Sequence, residues 1–218
     1  MKIYAINASP RKNWNSAKLL EGFVKGVKEE NPDAEVEVIN IYDYDFKGCR
    51  SCFACKLKAT PNQCMIKDSI QQFLIDIRKG DGLVFASPVY YFDQPGYFRA
   101  FMERLLYPGP VKGKAIPVTA IYSMNATSEA EYQEYMGDHF KFTHMMIQNC
   151  FHGPLKELKV FDSFQREDSD AYQASKSNHV AKKERYEREF PGHLENAFNA
   201  GREMVKEIRA IQAAEATK

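Results

Sequence analysis

Four of the five cysteines fall in one pattern, Cys49-x2-Cys52-x2-Cys55-x8-Cys64, and the fifth is Cys150. Thiolates two residues apart can wrap a cubane 4Fe–4S (iron–sulfur) cluster. They can also bind Zn²⁺ tetrahedrally, or stay as free or redox-active thiols. In a reducing compartment, such crowding speaks for one of these rather than for a disulfide framework. Lys56 and Lys58 would favour thiolates by charge.

A second group with chemistry is Asn7-Ala8-Ser9-Pro10-Arg11-Lys12-Asn13-Trp14-Asn15-Ser16. It carries hydroxyls, amides and two cations between a short apolar run and a helical pattern. The helix behind it offers unpaired N–H groups and the positive end of its dipole. Together these suit a phosphate dianion. Ser9 and Ser16 would donate hydroxyl bonds, Arg11 would supply charge, and Asn15 would cap or donate. Neither GxGxxG nor the Walker pattern occurs. A mononucleotide phosphate therefore fits better than a dinucleotide or ATP.

The third group is Ser87-Pro88-Val89-Tyr90-Tyr91-Phe92, which follows the most apolar run of the chain. Three consecutive aromatics at a strand end cannot all enter a core, and an exposed aromatic patch marks a binding surface. A planar ring stacked there would gain about 0.5–1.5 kcal/mol per aromatic contact beyond burial. Ser123 and Asn125, in a further loop, would approach the other side of such a ring. No Ser/His/Asp constellation stands at a strand end, so no side chain is assigned a catalytic role.

The elements that must position these groups alternate regularly. Strands are predicted over Lys2–Asn7, Glu35–Ile41, Gly82–Ser87, Lys114–Tyr122 and Leu155–Phe161. Helices are predicted over Ser16–Glu30, Ile70–Arg78 (capped by Asp68 or Ser69), Tyr97–Leu106, Glu129–Asn149 and His193–Ala213. The fully apolar Gly82–Ser87 reads as a central parallel strand. Such alternation demands right-handed crossovers and a parallel sheet with helices on both faces. Ligands then sit beyond the carboxyl ends of the strands, where strand order reverses. The expected division is a core over 1–161, with its Cys-rich loop at 46–64. A polar arm and a helix over 162–218 pack on the same domain. Within that arm, Asp162–Arg188 reads as a long loop leading into a charged helical stretch.

These residues carry a resemblance. NASPRKNWNSAKLL resembles the phosphate loop of the NAD(P)H-dependent FMN reductases and flavodoxin-like quinone reductases. Ser9, Pro10, Arg11, Asn15 and Ser16 match, while Ala8 and Trp14 replace glycines. SPVYYFDQPGYFRAFMERL is similar to the family's ring-binding stretch, with Glu103-Arg104 where Asp-Arg is usual. The cysteine pattern resembles that of iron–sulfur flavoproteins of the same superfamily, with a longer final gap. The resemblance implies an α/β flavodoxin-like three-layer sandwich with strand order 2-1-3-4-5. It also implies FMN bound by the residues above, with Pro88–Phe92 along the isoalloxazine. Hydride would pass from NAD(P)H to flavin N5, and electrons on to a quinone or another small-molecule acceptor. A non-catalytic FMN electron carrier, with or without a cluster, is the alternative. A homodimer or homotetramer is expected, because an aromatic-rimmed site is often completed by a second subunit.

Composition sets the remaining bounds. Of 218 residues, 44% are hydrophobic and 27% charged, and the formal net charge is +1. That balance gives no nucleic-acid footprint and no general affinity for anionic membranes. The opening MKIYAINASPRKN lacks the apolar core of a signal peptide, and no apolar run reaches the ~20 residues of a membrane span. The expectation is a cytoplasmic protein.

Overall fold

Five strands form one all-parallel sheet in the order β2-β1-β3-β4-β5. They are β1 (Lys2–Asn7), β2 (Glu35–Asn40), β3 (Gly82–Pro88), β4 (Ile116–Ser123) and β5 (His152–Val160). The computed structural model describes residues 1–59, 62–166 and 176–217. The helices are α1 (Asn15–Glu30), α2 (Gln71–Ile77), α3 (Gly96–Leu106), α4 (Glu129–Tyr135), α5 (Lys141–Phe151) and α6 (Lys176–Ala216). The parallel direction is the one expected from the alternation of elements, and the order is the one the family resemblance implies.

The period-two pattern of the strands separates two cores. Ile3, Ala5, Val84, Ala86 and Ile121 face α1 and α6, joined there by Leu19, Phe23, Val27, Met204 and Ile208. Tyr4, Ile6, Leu83, Phe85, Ala120 and Tyr122 face the other side, where Leu74, Phe98, Phe101 and Phe151 cover them. Both faces are apolar because both carry helices, which is why β3 and β4 read as unbroken apolar runs. Helices α1 and α6 approach closely. A Cβ on Gly26 would lie 1.8 Å from the Phe198 carbonyl oxygen, and one on Gly201 would lie 2.1 Å from that of Phe23. Only hydrogen in place of a side chain permits that contact.

Several boundaries differ from expectation. The predicted helix Glu129–Asn149 is two helices, broken where Gly137 takes a left-handed φ of 50°. Strand β5 begins earlier, at His152, whose own left-handed φ of 60° turns α5 directly into the strand. Pro117 lies inside β4, and the register with β5 shifts between Ile116 and Val118. This follows from the missing N–H of proline. Asp68 and Ser69 do not cap α2: Asp68 pairs with Arg104, and Ser69 bonds to the Asp45 carbonyl. The last helix begins at Lys176 and runs through Pro191, instead of starting near His193. Part of the expected long loop, 167–175, lies outside the described residues. The rest of it is either strap (below) or helix.

Candidate functional site

The loops after β1, β3 and β4 converge at the carboxyl edge of the sheet, as strand order 2-1-3-4-5 requires. Two adjoining pockets open there. The first, about 170 Å³, is lined by Ser9, Arg11, Asn15 and Ser16 from the β1 loop. Pro88, Val89 and Tyr90 come from the β3 loop, and Ser123 and Asn125 from the end of β4. The second, about 460 Å³, is apolar and is lined by Val89, Tyr91, Phe92, Asn125, Tyr132 and Tyr135 among others. Val89, Met124 and Asn125 border both, so the two pockets form one crevice with a polar end and an aromatic end. Every ligand-site residue expected from the sequence lines one or both of them.

The polar end is built locally. Asn7 Oδ1 accepts from the Ser9 N–H, and Ser9 Oγ accepts from the Arg11 N–H, which leaves the Ser9 hydroxyl proton to donate elsewhere. Ser16 Oγ and Ser123 Oγ share a hydrogen bond. Trp14 occupies the N-cap position of α1 without a side-chain cap bond, so the first N–H groups of the helix are not satisfied by a cap. Hydroxyls, uncapped helix N–H groups and the dipole make this an anion site.

The aromatic end rests on a strained turn. Tyr90 and Asp93 exchange two backbone bonds, of 2.7 and 3.0 Å. Between them Tyr91 and Phe92 take left-handed φ values of 48° and 66°. Two central residues with positive φ make a type I′ turn, which normally carries Asn-Gly. Placing aromatics there costs on the order of 1–3 kcal/mol per residue. Tyr91 is nonetheless fully exposed, and Tyr90, Phe92 and Tyr135 are largely so. Tyr132 and Tyr135 escaped the sequence reading, although their i,i+3 spacing after the fourth strand puts them on one helical face.

A third component is a strap formed by Asp162–Gln165, which the sequence did not disclose. Trp14 Nε1 and Asn15 Nδ2 both donate to the Phe164 carbonyl, at 2.9 and 2.8 Å. Arg11 donates to the carbonyl of Gln165. Asn15 Oδ1 accepts from the Tyr186 hydroxyl of α6. Asn15 therefore lines the pocket with one amide hydrogen and its oxygen already engaged. Trp14 pins the strap. Asn125 Oδ1 accepts from Gln165 and Lys182.

A buried polar chain runs under the strained turn. Gln94 Nε2 donates to the Tyr122 hydroxyl, which also bonds His144 Nε2 at 3.1 Å. Burial pushes the Tyr122 phenol up, the His144 imidazole down and the Glu157 carboxyl up. Gln94 Oε1 is buried with no hydrogen-bond partner among the described residues.

The cysteines sit apart from this crevice. Cys49, Cys52, Cys55 and Cys64 all line one small pocket of about 20 Å³ against α3. Left-handed Ser51 and Phe53, at φ 52° and 55°, alternate with the thiols and wind the loop inward. Arg104, wholly buried, holds the segment through Asp68, the carbonyls of Lys47 and Ile66, and Cys64 Sγ at 3.4 Å. The donor type suits a 4Fe–4S cluster, and all four thiols border this one narrow cleft. Among the described residues no three Cys, His, Asp or Glu side chains are placed to hold a metal ion. Burial raises the Cys55 thiol, with Lys56 only opposing, so the expected thiolate character does not arise there.

Residues 1–152 match the family described as NADPH-dependent FMN reductase. An iron-sulfur flavoprotein of Archaeoglobus fulgidus is 32% identical over 117 residues, covering 52% of this chain and 51% of that protein. One from Clostridioides difficile is 32% identical over 118 residues, covering 50% and 51%. The chain thus spans about half the length of these curated relatives. Among solved structures, an azoreductase from Bacillus anthracis superposes with a TM-score of 0.63 at 15% identity, covering 93% of this chain and 99% of that one. An NAD(P)H:quinone oxidoreductase from Methanothermobacter marburgensis gives 0.60 at 15%, covering 93% and 96%. A flavodoxin from the domain Archaea gives 0.51 at 13%, covering 96% and 99%. At such identities the likeness is one of fold, and the fold is flavodoxin-like. No helix among the described residues is long and apolar enough to cross a membrane.

Proposed function

Because the chain belongs to the NADPH-dependent FMN reductase family, we propose that it is a cytoplasmic, FMN-dependent oxidoreductase that moves hydride equivalents from NAD(P)H to a quinone or another small acceptor. One observation carries the reading. A hydroxyl-lined anion pocket at an uncapped helix N-terminus runs directly into an apolar, aromatic pocket, with Val89, Met124 and Asn125 common to both. A phosphorylated side chain ending in a flat ring has that shape.

FMN, when bound, supplies the hydride acceptance and donation itself. The chain's residues hold and shape. Ser9 and whichever of the paired Ser16 and Ser123 hydroxyls keeps its proton would donate to the phosphate, and the α1 N-terminus and Arg11 would add positive charge. Pro88, Val89 and Tyr90 wall the crevice between its two ends. Tyr91 and Phe92 give the ring an aromatic edge and leave one side open for a nicotinamide. Gln94, bonded to Tyr122, fixes the root of that turn. No side chain in the crevice is required as a general acid or base. The exposed Tyr91, Phe92 and Tyr135 would be covered in a homodimer or homotetramer, which light scattering on the purified protein tests directly.

The test is a spectrum followed by an assay. Purified protein is expected to show oxidised-flavin absorbance, or to acquire it on addition of FMN, and to oxidise NAD(P)H with a quinone or dye acceptor. A protein that holds reducible FMN but shows no NAD(P)H turnover would instead be an electron carrier. A protein that refuses FMN would sink both readings. Iron and acid-labile sulfide analysis of anaerobic preparations is expected to find neither in stoichiometric amount.

A further inference from the structure

The family match ends at residue 152, yet the roof of the phosphate pocket comes from beyond it. Ser163 and Gln165 line the pocket together with Ser9 and Ser16. The strap is held from both sides. On the pocket side, the Phe164 carbonyl takes bonds from Trp14 and Asn15, which uses both of its lone pairs. The Gln165 carbonyl takes one from Arg11. At its root, the Asp162 N–H bonds the Ala126 carbonyl and the Ser163 N–H bonds that of Met124.

On the far side, α6 clamps it. The nearly buried Asp162 carboxylate receives Arg185 Nε at 2.6 Å and lies 3.3 Å from Lys182 Nζ. Asp162 also sits at a left-handed φ of 47°, a conformation held by these contacts. The buried Phe164 ring packs on Tyr186 and His179, with centroids 5.7 and 5.0 Å away. Tyr186 in turn stacks on Phe190 and bonds Asn15. The N-terminal half of α6 is thus anchored to the strap, and through Asn15 to the phosphate loop itself.

Resting on the FMN reading above, we infer that the strap Asp162–Gln165, clamped by Lys182, Arg185 and Tyr186, selects a flavin mononucleotide over a flavin dinucleotide. A terminal phosphate monoester ends inside the pocket. A dinucleotide would continue from that phosphate through a second one to an adenylate, and with the other walls made by the sheet-edge loops, the strap that lines the pocket is the wall such an extension would have to displace. The crevice extends past Val89, Met124 and Asn125, but that end takes the ring. To admit the dinucleotide the strap would have to lift, which breaks the exposed Arg11 bond, the half-buried Trp14 bond and the buried Asn15 bond, and leaves the Phe164 carbonyl and an Asn15 amide hydrogen without partners. Discrimination therefore comes from a built obstacle rather than from weaker attraction.

The experiment titrates cofactor-free full-length protein with FMN and, separately, with FAD, following flavin fluorescence. Wild type is expected to bind FMN roughly 100-fold more tightly than FAD, since losing one buried and one half-buried hydrogen bond costs about tenfold each. The double variant Asp162→Ala, Tyr186→Ala removes the carboxylate that Lys182 and Arg185 hold and the ring that Phe164 packs on, and is expected to narrow the ratio to under ~10-fold, chiefly by a gain in FAD affinity. A gain of that kind is not what a merely damaged fold would give. Arg185→Ala, which removes only an exposed partner of Asp162, should shift the ratio the same way by a smaller factor, and Arg185→Lys should restore it. Equal FMN and FAD affinity in wild type would overturn the inference while leaving the flavin site standing. So would an unchanged ratio in both clamp variants. Failure of wild type to bind either flavin would overturn the FMN reading and this inference with it.

Discussion

Ser16 Oγ and Ser123 Oγ lie 2.9 Å apart, although 107 residues separate them in the chain. The bond ties the first turn of α1 to the last residue of β4. It forms the floor of the polar pocket, where both hydroxyls keep acceptor capacity and one keeps a proton to donate. Hydrogen bonds to a charged group contribute about 1.5–3 kcal/mol. Ser16→Ala is therefore expected to weaken FMN by roughly 10- to 100-fold, and Ser123→Ala by less, since its loss leaves Ser16 able to turn to the phosphate. Fluorescence titration of the cofactor-free variants measures both. Three indistinguishable affinities would place the phosphate elsewhere.

The Tyr91–Phe92 turn sets stability against binding. Tyr91→Asn with Phe92→Gly supplies the residues a type I′ turn prefers. Removing the left-handed strain at Phe92 and easing it at Tyr91 is expected to stabilise the fold by at least about 1–3 kcal/mol, which at this chain length raises Tm by several degrees. The same change removes two aromatic contacts to the ring, each about 0.5–1.5 kcal/mol. A higher Tm together with weaker FMN binding is the expected pair. A turn whose replacement lowered Tm would not be strained.

What the sequence disclosed follows from how local each cause is. The polar loop after β1 was legible because its hydroxyls and amides are side chains a few residues apart in front of a helix start. The central place of β3 was legible because it is apolar on both faces, while the strand order came with the family resemblance. The strap was hidden because its contacts are backbone carbonyls of Phe164 and Gln165, which leave no residue signature. The length of α6 was hidden because Pro191 and a polar run imitate a break. Packing of Tyr186 and Phe190 holds the turns before the proline in place. Arg104 was read only as a family match, and its part in pinning the cysteine segment depends on Asp68 and the carbonyls of Lys47 and Ile66 being folded around it.

That pinning gives a stability prediction. Arg104 is wholly buried and pairs with Asp68 through two nitrogens, while its remaining donors reach two carbonyls and Cys64. Removing one partner of a buried pair typically costs about 3–5 kcal/mol, because the other charge stays buried and uncompensated. Arg104→Met should lower denaturant stability by that order. Asp68→Asn, which keeps hydrogen-bond acceptance without the charge, should cost less. The cysteines should also become more reactive toward a thiol reagent in Arg104→Met than in wild type. Unchanged labelling would mean the segment is held by other contacts.

His144 supplies the pH dependence. Burial lowers its imidazole below the ordinary value, and Lys159 acts in the same direction. The unfolded chain therefore takes up a proton in the ordinary histidine range, while the folded chain resists until lower pH. Stability is unaffected above that range and is lost as pH falls through it toward the folded value. The facing groups are the Tyr122 hydroxyl at 3.1 Å and Glu157 Oε1 at 3.9 Å. Glu157 has the opposite sign: burial raises its carboxyl, so the folded form holds its proton longer and stability falls as pH rises through the carboxylate range. The two effects separate by difference. His144→Gln keeps a partner for Tyr122 and cannot charge. Relative to that variant, wild type should lose stability between about pH 7 and pH 5.5, and Glu157→Gln should leave this loss in place. A constant difference between wild type and His144→Gln across that interval would show an imidazole that titrates as if exposed, and the buried Gln94–Tyr122–His144 chain would then be open to water.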